Sequence, residues 1–108
     1  MAVQDYDSIV PPGTYVAHDH IYLWIPYRAK GTVRHEIFFG SANRKKSIKY
    51  RLYVFISPQD HNMSRYGVHN IDGHEFDMHL KKVGQVAAMK AYDWSIEDFR
   101  KVFGKSYL

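Results

Sequence analysis

The sequence predicts an α+β fold: an antiparallel β-meander of about four to five strands with two C-terminal helices packed on one face. Three observations support this class. β-branched and aromatic residues dominate up to position 56, and good helix formers dominate after position 80. The chain has 108 residues, 45% of them apolar and 24% charged, which is typical of one globular domain. Strands followed by helices indicate α+β rather than alternating β and α.

Turn residues divide the predicted sheet, which we expect to occupy 13–79. Pro11 to Gly13 ends an extended N-terminal arm over 1–12. Gly31 predicts a turn, Gly40 opens a longer one, and Asp72-Gly73 is typical of a two-residue hairpin. The predicted strands are 14–26, 32–39 and 47–56, followed by a weaker pair at 66–71 and 74–79.

Two helices are predicted over 80–104. The first covers 80–92, whose residues are good helix formers apart from one glycine. The second begins after Ser95, a natural N-cap followed by acidic residues, and ends at Gly104. Its apolar positions recur with helical spacing and form one stripe, namely Ile96, Phe99, Val102 and Phe103.

The formal net charge of +4 is concentrated in one segment. Residues 28–51 carry eight basic side chains and one glutamate, a local charge of +7. Residues 1–27 carry three aspartates and no basic side chain, and 52–108 are balanced. The segment 28–51 therefore predicts either a surface that attracts a polyanion or a solvated basic loop.

Alternation along the predicted strands separates an aliphatic face from a face of aromatic and basic residues. Ile21, Leu23 and Ile25 exemplify the aliphatic face, which we expect to form the core under the helices. Rings beside cations suit single-stranded nucleic acid, through stacking and phosphate contacts, and they suit protein partners equally well. The predicted nucleic-acid or partner-binding residues are Tyr22, Trp24, Arg28, Lys30, Arg34, Phe38, Arg44, Lys45, Lys46, Lys49, Arg51, Tyr53 and Phe55.

The function predicted from these patterns is binding rather than catalysis, with no cofactor. Nucleic acid is the first hypothesis, because charge and rings share a predicted face. The alternative is a small intracellular protein inhibitor or adaptor, encoded by a phage or mobile element and acting on a nucleic-acid-handling machine. The sequence has no cysteine, no signal-peptide pattern and no apolar run of membrane-spanning length, so we expect a cytoplasmic protein. A homodimer would hide surplus aromatic surface.

Seven histidines support a third hypothesis, a histidine-dependent metal-binding or nuclease-like protein. His18 and His20 would share one face of a strand, and His74 and His79 belong to a second cluster with His69. His35 and His61 are isolated in the sequence. Because no spacing here is specific for a metal, the weak candidate ligands are His18, His20, His74 and His79.

Overall fold

The computed structural model describes residues 8–108 and shows a mixed α+β fold with antiparallel sheets and helices. Within the described residues the strands form two separate two-stranded sheets, so the predicted meander of four to five strands is wrong. The strands are β1 (Gly13–Ala17) paired with β2 (His20–Trp24), and β3 (Val33–Glu36) paired with β4 (Tyr53–Ile56).

An isolated antiparallel bridge joins the two sheets. The backbones of Ile25 and Phe55 exchange two hydrogen bonds, of 3.2 and 2.9 Å between nitrogen and oxygen. This bridge brings the end of β2 against β4, although neither sheet gains a third strand. The two antiparallel strand pairs therefore lie side by side.

The predicted continuous strand 14–26 is instead a hairpin. Ala17 pairs with His20, so the loop has two residues, His18 and Asp19. Both have positive φ, 55° and 57°, as a type I′ turn requires. Aspartate tolerates this conformation better than most residues, which allows the chain to reverse inside a run of strand-forming residues.

The predicted strand 47–56 is correct only in its second half. Residues Arg44–Lys49 form a short helix, α1, and the chain then reverses at Arg51, whose φ is 61°. Ser47 explains the difference, because its buried hydroxyl accepts a hydrogen bond from the Phe38 amide and donates one to the Phe38 carbonyl. That bonding ties α1 to the chain after β3, an interaction that local strand propensity does not contain.

The predicted hairpin at Asp72-Gly73 is wrong. Residues Ile71–Gly73 form a 3₁₀ turn that leads directly into helix α2 (His74–Tyr92). The predicted helix 80–92 lies within α2, which begins six residues earlier than expected. A side chain at position 73 would collide with the backbone carbonyl of Gly67, so glycine here permits close packing rather than a hairpin turn.

The last helix, α3 (Ile96–Phe103), matches its prediction. The Ser95 hydroxyl accepts a hydrogen bond from the Asp98 amide, and the Asp98 carboxylate accepts one from the Ser95 amide. Gly104 ends the helix with φ 92°. The stripe reaches the core through Phe99 and Phe103, whose rings pack against Phe38 at 5.3 and 4.6 Å between centroids.

The core of the first hairpin uses the face opposite to the predicted one. Tyr22 and Trp24 are buried, whereas Ile21 and Leu23 are 62% and 59% exposed. The Tyr22 ring stacks on Phe76 of α2 with 4.0 Å between centroids. Aromatic rings bury more area than aliphatic side chains, so packing them under α2 is the larger gain in hydrophobic free energy.

The described part of the N-terminal arm packs against the end of β2. The Ser8 amide donates to the Pro26 carbonyl at 2.8 Å, and the Trp24 indole donates to the Pro11 carbonyl at 3.0 Å. Val10 is buried. The rest of the predicted arm, 1–7, lies outside the described residues. Among residues 8–108, no helix combines the length and apolar composition that a membrane crossing needs.

Candidate metal centre

Three histidines from three segments meet at the base of a pocket of about 400 Å³. His35 lies within β3, His61 in a π-helical turn over Gln59–Met63, and His69 just before the 3₁₀ turn. One ring nitrogen from each lies within 4.8 Å of the other two. We call these residues the histidine trio.

The trio has nearly the spacing that a metal ion requires. Zinc–nitrogen bonds of about 2.0–2.1 Å in a tetrahedral site separate two ligand nitrogens by about 3.3 Å. The Nε2 atoms of His61 and His69 are 3.1 Å apart. The three rings meet edge to face, with 4.6–5.3 Å between centroids, so none stacks flat against another. The donor nitrogens of all three histidines lie within 4.8 Å of one another.

His35 is the member that packing alone does not explain. It is 1% exposed, and its Nε2 atom is buried without a hydrogen-bond partner among the described residues. A buried polar group without a partner costs about 1–3 kcal/mol. Burial, followed by the neighbouring His69 and His61, lowers the pKa of His35 well below its usual value. The ring is therefore neutral at pH 7, as a metal ligand must be.

The other two members are also neutral. Burial lowers the pKa of His61, with His69 adding to the effect, and burial is the main cause of the lowered pKa of His69. Without a metal ion, the short contact between His61 and His69 is a hydrogen bond in which one ring donates to the other. Such a bond gives partners to these two rings and leaves Nε2 of His35 without one.

The segment between β4 and α2 presents His61 and His69 to His35. The Val68 amide donates to the Asp60 carbonyl at 2.7 Å, and the His69 amide donates to the His61 carbonyl at 3.2 Å. The Asn70 side chain spans this fold by donating to two backbone carbonyls, those of Asn62 and Ser64. Backbone hydrogen bonds therefore hold the two histidines at a set distance from each other.

A carboxylate lies behind the trio. Asp77 of α2 is buried, and its Oδ1 atom is the other buried side-chain atom without a partner in the described part of the chain. Its Oδ2 atom accepts from Lys81 at 2.9 Å. Burial raises the pKa of Asp77, and its charge in turn opposes the lowering of the His69 pKa.

Basic side chains form the rim of the pocket. Glu36 accepts from Arg34 through one carboxylate oxygen and from Arg44 through the other, each at 2.9 Å. Arg44 is 68% exposed, and Lys45 beside it is also exposed and lines the pocket. Two guanidinium groups thus neutralise the single carboxylate of the rim, which leaves the pocket mouth positively charged.

The structure separates the predicted binding residues into buried rings and mostly exposed cations. The aromatic members are at most 4% exposed, so nothing can stack on them in this conformation. Two arginines cover rings: Arg28 lies 5.0 Å from the Phe55 centroid, and Arg34 lies 5.5 Å from that of Tyr53. The buried predicted residues are Tyr22, Trp24, Phe38, Tyr53 and Phe55.

The basic members of the predicted set do not form one patch. Arg34, Arg44 and Lys45 line the pocket, whereas the Lys46 ammonium donates to the Val102 carbonyl at 2.6 Å and ties α1 to α3. Lys49 lies 5.3 Å from the Tyr50 ring. The exposed predicted residues are Arg28, Lys30, Arg44, Lys45 and Lys49, and Arg34, Lys46 and Arg51 are partly buried.

None of the four weak metal candidates belongs to the trio. His18 lies in the hairpin turn, so it does not share a strand with His20, whose ring bonds Asp60 at 2.7 Å. His79 stacks on Tyr15 at 4.4 Å, and His74 is exposed at the start of α2. Within the described residues, the histidine trio is the one group of three or more potential metal ligands whose donor atoms lie this close together.

No protein-family model, curated protein or solved structure matches this chain. Function is therefore argued from the geometry of the site.

Proposed function

We propose that this protein binds a divalent transition-metal ion, with Zn²⁺ as the best fit, through His35, His61 and His69. One observation carries the proposal. His35 has a buried ring nitrogen without a partner, Nε2, and one of its ring nitrogens lies within 4.8 Å of ring nitrogens of His61 and His69. A metal ion bound there would satisfy all three rings at once and remove the cost of the orphaned His35 nitrogen.

The chemistry of the donors selects the metal. Neutral imidazoles suit zinc, copper, nickel and iron, whereas Ca²⁺ and Mg²⁺ prefer carboxylate, carbonyl and water oxygens. The nearest rim carboxylate, Glu36, is engaged by two arginines. Three histidines with a fourth position open to the pocket form the ligand pattern of zinc sites that bind water or substrate.

Of the two contacts that the nucleic-acid hypothesis requires, base stacking and attraction of phosphates to basic side chains, only the second has support. The basic rim of the pocket attracts anions, but the buried rings of the predicted face are unavailable for base stacking. We therefore place anion attraction second to metal binding. The adaptor hypothesis stays a prediction.

The test is metal titration of tag-free protein that has been stripped with a chelator. We expect one Zn²⁺ or Co²⁺ per chain and a rise in unfolding free energy of about 2.7 kcal/mol when free metal is 100 times the Kd. The variants His35→Phe and His61→Ala should each weaken the affinity by at least about 100-fold.

Matched controls come from the histidines outside the trio. His74→Ala and His18→Asn should bind metal like the wild type, because neither ring approaches the trio and asparagine tolerates the positive φ at position 18. Unchanged affinity in His35→Phe, or loss of binding in His74→Ala, would overturn the proposed centre.

A further inference from the structure

The pocket above the trio has features that the metal ion alone does not use. A three-histidine set leaves a fourth coordination position, and the pocket of about 400 Å³ provides room for a ligand at that position. Arg44 and Lys45 stand on the rim, and both are exposed. These cations add nothing to metal affinity, because like charges repel the ion.

Resting on the proposed metal centre, we propose that the pocket binds a terminal phosphate group, with one oxygen on the metal ion and the others on Arg44 and Lys45. A phosphomonoester presents three oxygens and close to two negative charges at neutral pH. It can therefore coordinate the ion and accept hydrogen bonds from a guanidinium and an ammonium at the same time. An acetate-like carboxylate has only two oxygens for three partners.

Glu36 holds the two arginines of the rim in place through its carboxylate. Its carboxylate is 8% exposed and accepts from Nε of both Arg34 and Arg44, so it orients the arginines while they cancel its charge. Nε is one donor of a guanidinium that carries five N–H groups in a rigid fork. The Arg44 side chain is long and mostly exposed. Glu36 holds it at Nε, and it lines the pocket.

The charged side chains of the rim also lie close enough to the histidine trio to shift a pKa within it. The charge of Arg44 contributes to the lowered pKa of His61, and the charge of Glu36 opposes it. A ligand that bridges metal and guanidinium needs this proximity. The rim lies within the basic segment 28–51, whose net charge of +7 would raise the local concentration of phosphate-bearing molecules.

A terminal phosphate occurs on free phosphate and nucleotides and at the ends of nucleic-acid strands. The experiment therefore titrates Zn²⁺-loaded protein with inorganic phosphate, with acetate, and with one short oligonucleotide carrying either a 5′-phosphate or a 5′-hydroxyl. We expect the phosphorylated strand to bind about tenfold more tightly than the hydroxyl strand. Phosphate, but not acetate, should change the visible spectrum of the Co²⁺-loaded protein, whose metal reports on its own ligands.

Two variants locate the contact. Arg44→Ala should abolish the preference for the 5′-phosphate without weakening Zn²⁺ binding. Lys30→Ala removes an exposed charge from the same basic segment but away from the pocket, so it should keep the preference. If Arg44→Ala unfolds the protein, Lys45→Ala provides the same comparison.

The outcomes separate this inference from the proposed function. Failure to bind Zn²⁺ overturns both. Normal Zn²⁺ binding with equal affinity for the two strands and no binding of inorganic phosphate, with an equal spectral response to acetate, or with the same preference in metal-free protein overturns the phosphate site alone. Tight binding of inorganic phosphate without preference between the strands would assign the pocket to small phosphate compounds and not to strand ends.

Discussion

Two clusters of ring-bearing and polar side chains lie on either side of the same π-helical turn, and they differ in whether their polar atoms have partners. Asp60 faces the first, where its carboxylate bonds His20 at 2.7 Å and the Tyr22 hydroxyl donates to the Tyr66 carbonyl at 2.7 Å. The next residue, His61, faces the histidine trio. We call the first group, made of His20, Tyr22, Asp60 and Tyr66, the closed cluster.

The closed cluster is complete as it stands. His20 stacks on Tyr66 and meets Tyr22 edge to face, with centroids 5.6 and 4.5 Å apart. The trio ranges from buried His35 to exposed His69, and Nε2 of its buried member has no partner. Buried polar groups are normally hydrogen-bonded, so this difference distinguishes a structural cluster from a candidate binding site.

The largest expected effect is in the closed cluster. Asp60→Ala removes a buried carboxylate and leaves the His20 ring without its partner, so the free energy of unfolding should fall by about 1.5–3 kcal/mol. Urea denaturation measures this change, with Gln59→Ala as the control at an exposed position of the same turn. Equal stability of the two variants would mean that the closed cluster is not held by the hydrogen bond between His20 and Asp60.

A smaller effect is expected from Tyr22→Phe, which loses the hydrogen bond to the Tyr66 carbonyl at a cost of about 1 kcal/mol near pH 8. Burial, with Asp60 next, raises the pKa of Tyr22 to about 12, above an unfolded value of 10. The unfolded tyrosine ionises first, so wild-type stability should fall as the pH rises from 10 through 12.

Phenylalanine does not ionise, so the variant lacks this alkaline loss. Its deficit relative to the wild type should shrink between pH 9 and pH 11.5, as followed by urea unfolding at each pH. A deficit that grows over this range would contradict the burial of a neutral Tyr22 hydroxyl.

The smallest expected effect is at the trio. His35→Phe removes the cost of a buried nitrogen that has no partner, and the overpacking by the larger phenyl ring offsets that gain, so metal-free stability should change by less than about 1 kcal/mol. The measurement is thermal and urea unfolding in the presence of a chelator. A loss above about 2 kcal/mol would show that His35 supports the fold in the way that the closed cluster does, and the contrast between the clusters would disappear.

Sequence reasoning found the elements whose signals are local. The last helix matched because its N-cap, its acidic first turn, its apolar stripe and its terminal glycine lie within ten residues and agree. The prediction from the sequence is wrong over 44–49. There the hydrogen bonds between Ser47 and the Phe38 backbone hold the chain in α1 and override its local strand propensity. The prediction is also wrong over 74–79. Gly73 is predicted as a hairpin residue, but it is needed for the close approach to Gly67.

The candidate site was missed for a related reason. His35 and His61 look isolated because the trio is assembled from three segments that are far apart in the chain. One signal was present: His35 alternates with Val33 and Ile37, so it falls on the predicted aliphatic face of its strand. A histidine expected in the core needs a partner, and the sequence does not show which residue provides it.

The sequence by itself determined the α+β order, the capped C-terminal helix and the basic segment, because propensity, capping and net charge depend on neighbours within a few residues. Only the tertiary structure decided which face of each hairpin is buried and which histidines meet. Burial depends on what packs opposite, and in this protein Phe76 of α2 draws Tyr22 inward and leaves Ile21 and Leu23 exposed. The trio likewise exists only after β3 and the segment before α2 have packed together, since hydrogen bonds and metal coordination require atoms within a few ångströms.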